Sequence, residues 1–336
     1  MMPSAPEPSL SVVVVTRDTF QTLRPIVGAL GCQTRAQSIE LVVVAPDEMA
    51  GAISAPEASQ FHSVRVVGVG PVTNRGRAAA HGVLVARAPI VALSENHCFP
   101  APDWAERTLE SHQGAWAGVG PAVVNANPET LLSQALHAMG YGAFPRSGSP
   151  RVVSELPLHN SSYRRDVLSS ELRDLQELLG DERNLQRALR ERGLEMCFDP
   201  RPVKRHINEA TWHLLVGLSY ANGRRYGGIR SQDWPFWRRA VYVLSLPLLS
   251  LPIARNIWAK LSSAGDVQKN IRLAGVIWCI GFFHAVGEAV SYVRGACKEY
   301  PFVDQEEFLI RERLGRHAIR DPEIAALVAR LDPLKP

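Results

Sequence analysis

The sequence predicts an α/β protein, with a central, mostly parallel sheet followed by a C-terminal region of hydrophobic helices. Three observations predict it. Short β-branched runs occur early, of which SVVVV at residues 11–15 is the purest. They alternate with segments of helical spacing, and each is apolar along its whole length, as in strands covered by helices on both faces. From Trp234 the texture changes to uncharged stretches flanked by aromatic and basic residues.

The elements follow in order. SLSVVVVTRD (9–18) reads as a strand closing on polar residues, and DTFQTLRPIVGALGCQ as a helix with Phe20, Leu23, Val27 and Leu30 at helical spacing. IELVVVAPDE (39–48) is a second strand and VRVVGVG (64–70) a third. GRAAAHGVLVARA (76–88) is a small-residue helix leading into the strand IVALS (90–94). Ligands of such sheets bind beyond the carboxyl ends of the strands. The polar residues placed there are Thr16 and Arg17, Asp47 and Glu48, and Glu95, Asn96 and His97. Residues 166–193 read as a polar helix ending at Gly193, and FDPRPVKRHIN as a short strand and loop.

In the C-terminal region, residues 240–254 carry no charge, and 273–287 carry none apart from a proton on His284. Pro247 and Pro252 are expected to break the first run and Glu288 to close the second, leaving both short of the ~20 residues of a spanning helix. Flanking Arg238, Arg239, Arg255, Arg272 and Arg294, with Trp234, Trp237, Trp258 and Trp278 nearby, suit a bilayer interface. A buried helical hairpin of a soluble domain is the alternative.

At 336 residues and 46% hydrophobic content, the chain can form one large domain or two ordinary ones. A net charge of +4, from 37 basic and 33 acidic residues, is too balanced to indicate a nucleic-acid partner. The five cysteines are odd in number and widely spaced with no CxxC pair, so they suggest neither a disulfide framework nor a thiolate zinc site, and a reducing compartment fits best. The start, MMPSAPEPSL, lacks a signal peptide's basic and apolar segments, so the expected location is cytoplasm-facing.

The strand IVALS ends on Glu95-Asn96-His97. A carboxylate and an imidazole two positions apart can meet one divalent ion, and solvated turn residues are the bland account. With the segments before it, VALSENHCFPAPDWAERTL resembles the nucleotide-binding half of a family 2 glycosyltransferase of the GT-A fold. In that family this strand ends in Asp-x-Asp before a proline-containing loop and a tryptophan. Counting back from Trp104 puts Glu95 and His97 on the two metal-binding positions, a variant Glu-x-His, and Ala45-Pro46 stands where an acidic pair contacts the base and ribose. Asp47 or Glu48 takes over that contact in this reading.

LPLHNSSYRRDVL (156–168) is similar to the family's acceptor-side segment, and GDERNLQRALRERGLEMCFDPRPVKRH (180–206) to its Glu-Asp-x-Asp-Leu helix with a terminal histidine. The resemblance implies Glu182 or Asp181 as general base, His206 near the metal or diphosphate, and Mn or Mg as the cation. An acidic first turn complementing the helix dipole is the bland account of GDER. Arg224, Arg225 and Arg230, in the Gly-rich NGRRYGGIR, are expected to close over a donor phosphate, and Arg75 and Arg77 to touch donor phosphate or nucleotide, surface charge being the alternative.

The implied organisation is a GT-A domain over 1–232, with a donor half at about 9–125 and an acceptor half at about 126–232, followed by a membrane-associating helical region over 233–336. The implied partners are a nucleotide-sugar donor, a lipid or lipid-linked acceptor and the cytoplasmic face of the cell membrane. A dinucleotide-dependent oxidoreductase is disfavoured because TRDTF, not GxGxxG, follows the first strand. A degenerate nucleotide- or lipid-binding protein on the same fold is the other reading.

Overall fold

The computed structural model describes residues 7–17, 23–47, 55–170, 174–208, 211–263 and 271–295. Glu48, expected near the base or ribose, lies outside them.

Packing divides the chain into two compact units. One holds the chain up to Ala126 together with Phe144–Ile207, and the other holds Asn127–Ala143 and, from Asn208, the helices that follow.

In chain order the first unit runs β1 (Leu10–Val15), α1 (Arg24–Gly31), β2 (Ile39–Ala45), α2 (Ala55–Ala58), β3 (Ser63–Gly68), α3 (Arg75–Val85), β4 (Ile90–Ser94), β5 (Cys98–Pro100), α4 (Trp104–Ser111) and β6 (Gly118–Asn125). Helix α5 (Leu131–Tyr141) belongs to the second unit. The first resumes with β7 (Arg151–Val153), β8 (Ser162–Arg164), α6 (Arg165–Ser169), α7 (Leu175–Gly180), α8 (Glu182–Glu191) and β9 (Met196–His206). The strands form one sheet in the order β3-β2-β1-β4-β8-β6-β9-β5, with β7 also paired to β9.

The parallel sheet read from the apolar runs is present: β3, β2, β1 and β4 are all parallel neighbours. Val12–Val15 are wholly buried, as β-branched residues covered on both faces should be. The order reverses between β1 and β4, because β2 and β3 lie on one side of β1 and β4 on the other, and such a reversal opens a crevice at the carboxyl ends. Beyond β4 the sheet is mixed, β8 running antiparallel to β4 and β6 while β6 and β9 are parallel.

One polar pair is built into the core. Ser11 and Glu40 are in register on β1 and β2, and the Ser11 hydroxyl donates to Glu40 Oε2 at 2.5 Å. The same carboxylate accepts from Arg87 N at 2.7 Å, so the buried charge is hydrogen-bonded rather than orphaned.

The polar helix expected over 166–193 is instead three short helices, α6, α7 and α8. At Asp181 the backbone turns extended (φ −134°, ψ 104°), ending α7 and capping α8. The segment FDPRPVKRH, expected as a short strand and loop, belongs to an eleven-residue strand, β9.

The second unit gathers α5 with α9 (Trp212–Arg230), α10 (Phe236–Leu244), α11 (Leu246–Ser263) and α12 (Ile271–Arg294). Leu136, Leu215, Ile257, Leu273, Ile277 and Ile280 meet in its core. Three expectations are corrected here. NGRRYGGIR, the Gly-rich stretch expected to close over a donor phosphate, is part of helix α9. A Cβ at Gly223 would lie 1.9 Å from His284 O and one at Gly227 2.7 Å from Glu288 Cα, so these glycines let α9 and α12 approach closely.

Nor does Glu288 close the last helix. It is buried inside α12, where it accepts from the Tyr292 hydroxyl at 2.5 Å and faces His284 Nδ1 at 3.2 Å. α12 therefore reaches 24 residues, and Arg272–Arg294 is long and apolar enough to cross a membrane, with mean hydropathy 1.7 over a window half buried in the unit. Finally, Pro252 sits within α11 and does not break it; the run does divide at Pro247, since α10 ends at Leu244 and Pro247 lies in the first turn of α11, where no N–H is required.

Candidate functional site

β4 is wholly buried and ends at Ser94, opposite Val14 of β1 at the reversal of strand order. The chain then turns through Glu95, Asn96 and His97, with Cys98 N donating to Glu95 O at 3.3 Å. β5 next pairs antiparallel with β9 in the register Cys98↔His206, which brings His206 back to the turn. Three ligand-type side chains distant in sequence are thereby buried together, Glu95, His97 and His206 being 3%, 1% and 8% exposed.

Their ligand atoms lie within 4.8 Å of one another. His206 Nε2 is 3.3 Å and His97 Nε2 4.0 Å from Glu95 Oε2, and the two rings meet edge-on with centroids 4.7 Å apart. Burial alone would push the Glu95 carboxyl up. The charges of His97 and His206, a hydrogen bond from His206 and the charge of Arg75 outweigh burial and hold it well below the usual range. One carboxylate and two imidazoles in this space form a donor set that fits a divalent transition metal.

The surroundings orient these groups. Asn96 is buried with its Oδ1 3.0 Å from His97 Nδ1. In its neutral form, with the proton on Nδ1 in that bond, His97 would offer the Nε2 lone pair to a cation. Asn160 donates Nδ2 to Glu95 Oε2 at 2.6 Å, and its Oδ1 accepts from Lys204 Nζ at 3.3 Å. Lys204 is fully buried, donating also to Leu93 O (3.3 Å) and Ser94 Oγ (3.1 Å) and lying 4.7 Å from the Trp104 ring centre. Burial lowers its pKa to about 8. The alternation of β9 turns Lys204 inward, and Arg201 is bound to Asp199 at 2.6 Å.

A second centre is built on Glu182, which is 1% exposed. Its Oε1 accepts from the Tyr163 hydroxyl at 2.6 Å and its Oε2 from His159 N at 2.5 Å, with His159 Nδ1 3.7 Å from Oε2. Burial raises the Glu182 pKa against the pull of His159 and the Tyr163 hydrogen bond. Gln186, one turn along α8, donates to the Tyr163 oxygen at 3.1 Å and so holds the phenol in place. Arg75, Ser94, His159 and Glu182 line one narrow gap with Val13 and Val15 of β1. The second centre therefore lies beside Ser94, the residue that precedes Glu95.

The other expected site residues fall as follows. Thr16 is buried and Arg17 exposed at the end of β1. Asp47 follows β2 and accepts from Gly70 N at 3.2 Å. Arg75 opens α3 and is buried, whereas Arg77, two residues on, makes a surface ion pair with Glu177 at 3.0 Å. Asp181 accepts from Arg183 N at 3.3 Å, so of the acidic pair it is the cap and Glu182 the buried carboxylate.

Arg224, Arg225 and Arg230 lie on α9 in the second unit. Arg224 donates to Ser291 Oγ at 3.1 Å, and Arg230 pairs with Glu288 at 3.6 Å and packs on Trp234 and Tyr242. Cys98 beside the triad is a packing group, its thiol pushed far up by burial. His159, Asn160 and Tyr163 are the contributors that the sequence did not single out. The available signal was the dipeptide His159-Asn160 in the segment between α5 and α8.

No protein-family model and no curated protein matches the chain. Among solved structures it is similar to a mannosyltransferase from Pyrobaculum calidifontis in complex with GDP-Man and Mn2+, at 14% identity over 93% of this chain and 87% of that one, with a TM-score of 0.49. It is also similar to S. aureus TarS 1-349, at 13% identity over 87% of this chain and 93% of that one, with a TM-score of 0.45. Both scores are low enough that a functional reading has to stand on the residues of this chain.

Proposed function

We propose that the chain is a glycosyltransferase of the GT-A type, moving a hexose from a nucleotide-diphosphate donor to an acceptor hydroxyl by a single inverting displacement. The observation that carries this reading is the burial of two carboxylates in unlike surroundings: Glu95 with His206 and His97 at 3.3 and 4.0 Å, and Glu182 with the Tyr163 hydroxyl and His159 N at 2.6 and 2.5 Å. Environments that push two carboxyl groups apart divide the charge-stabilising and proton-transfer tasks of such a reaction.

A divalent cation held by Glu95, His97 and His206 would supply the positive charge that a departing diphosphate needs. Arg75, buried at the N-terminus of α3, adds a guanidinium and a helix N-terminus to the same anion. Thr16, Arg17 and Asp47 stand at the ends of β1 and β2, where a nucleotide would lie against the strand-order reversal. The Glu182 centre accepts the acceptor's proton as the new bond forms.

A lipid-borne acceptor and attachment at the cytoplasmic face of a membrane complete the proposal. Their support is the apolar α12 and the exposed Phe236, Trp237, Leu244 and Leu248 of α10 and α11. Flotation with anionic liposomes tests this part. A protein that stays at the bottom of the gradient with and without liposomes refutes it.

The transferase reading is tested by thermal shift with GDP, UDP and dTDP, with and without Mn, followed by nucleotide release from the corresponding sugar donors. Stabilisation by one nucleotide that depends on Mn, together with release, supports it. Binding without release identifies a nucleotide-binding protein instead.

A further inference from the structure

Resting on the transferase reading, we infer that His159 is the group that takes the acceptor's proton, with Glu182 standing behind it. Glu182 is closed to an incoming hydroxyl. One of its oxygens accepts from the Tyr163 hydroxyl at 2.6 Å, the other from His159 N at 2.5 Å, and the residue is 1% exposed. The His159 side chain, by contrast, is 22% exposed. Its Nδ1 is 3.7 Å from Glu182 Oε2, an ion-pair distance that leaves Nε2 on the far side of the ring.

The backbone supports the same assignment. His159 has φ 61°, the one positive value at a non-glycine residue among the described residues. Glycine would take this conformation freely, yet the chain carries an imidazole there. Backbone strain at a residue over-determined by its surroundings is concentrated at functional positions. Here the left-handed turn aims His159 N–H at Glu182, and the following residue, Asn160, reaches Glu95. His159 and Glu182 also line the narrow gap shared with Arg75 and Ser94.

In the step itself the acceptor oxygen forms a bond to the anomeric carbon while the bond from that carbon to the diphosphate oxygen breaks, its electron pair leaving with the phosphate. The hydroxyl proton passes to His159 Nε2, and the Glu182 carboxylate stabilises the imidazolium.

The experiment uses the full-length protein with Mn and a panel of UDP- and GDP-hexoses, water serving as acceptor, and reads nucleoside diphosphate release. His159→Gly and His159→Asn both suit a positive φ and preserve the turn. The expected result is loss of release by about 100-fold or more in both variants. Thermal shifts with GDP or UDP plus Mn stay as in the wild type, and added imidazole restores part of the His159→Gly rate. An active wild type with an equally active His159→Gly variant overturns the assignment alone. A wild type that releases no nucleotide from any donor overturns the transferase reading, and this inference with it.

Discussion

Asn160 donates its side-chain amide to Glu95 Oε2 at 2.6 Å, and Lys204 fixes the amide's orientation from the other side. A carboxamide has one donating and one accepting end, and an ammonium can only donate. The order Lys204–Asn160–Glu95 is therefore directional. Glu95 is presented as an ionised acceptor before any cation arrives.

Replacing Asn160 by Ala removes that orientation while leaving all three ligand-type side chains in place. Mn affinity measured calorimetrically is expected to fall by about 10- to 100-fold, the usual cost of losing an outer hydrogen-bond partner. Unchanged affinity would mean that the amide does not organise the triad.

Two imidazoles and one carboxylate are softer than an all-carboxylate set. Mn, Co and Zn should therefore bind more tightly than Mg, which prefers oxygen ligands and keeps its waters. The His97→Asp variant is expected to narrow the gap between Mn and Mg, read by calorimetry with each metal chloride. Equal affinities for Mn and Mg in the wild type would rule out this donor set as the binding site.

His112 links stability to pH away from the triad. Its Nε2 lies 2.8 Å from Ser162 Oγ, which itself donates to Val119 O, while Nδ1 is buried without a hydrogen-bond partner. Burial, aided by the charge of Arg164, lowers its pKa from 6.5 to about 4. The unfolded chain thus takes up the proton first as pH falls. Stability from this residue is present above pH 6.5 and is lost between 6.5 and 4, by at most about 3 kcal/mol. Denaturant unfolding of wild type and His112→Gln across that range should show the smaller pH dependence in the variant.

The glycines of the helical unit differ in what surrounds them. Gly223→Ala puts a methyl group against His284 O and is expected to destabilise by about 1–3 kcal/mol as an overpacked contact. Gly140 on α5 has nothing within 4 Å of a Cβ, and Gly140→Ala should stabilise by roughly 0.5–1 kcal/mol. Chemical denaturation of the two variants checks the contrast. Equal effects would mean that α9 and α12 are not closely packed at Gly223.

The strands β1, β2, β3 and β4 were legible because burial on both faces demands uninterrupted apolar runs, and those runs stand in plain order along the chain. The break between α7 and α8 was not, since it depends on a cap at Asp181 within a segment whose composition suits helix throughout. The glycines of NGRRYGGIR misled for a related reason. Composition cannot separate a glycine chosen for backbone freedom from one chosen for close helix contact; the carbonyl of His284 makes that distinction. Glu288 behaved likewise, because a charge ends an apolar run on paper but not in a helix that offers it Tyr292, His284 and Arg230 as partners.

By itself the sequence determined the α/β alternation, the carboxyl-edge position of Glu95, Asn96 and His97, and the apolar character of the last helices. These follow from local periodicity and from the rule that polar residues after buried strands reach the sheet rim. Tertiary structure decided the rest. The pairing of β5 with β9 set His206 beside Glu95, and the alternation of β9 turned Lys204 inward. A single left-handed residue at 159 tied the Glu95 cluster to Glu182. Strand register and a backbone angle act between residues far apart in the chain, and no local pattern of residue types encodes them.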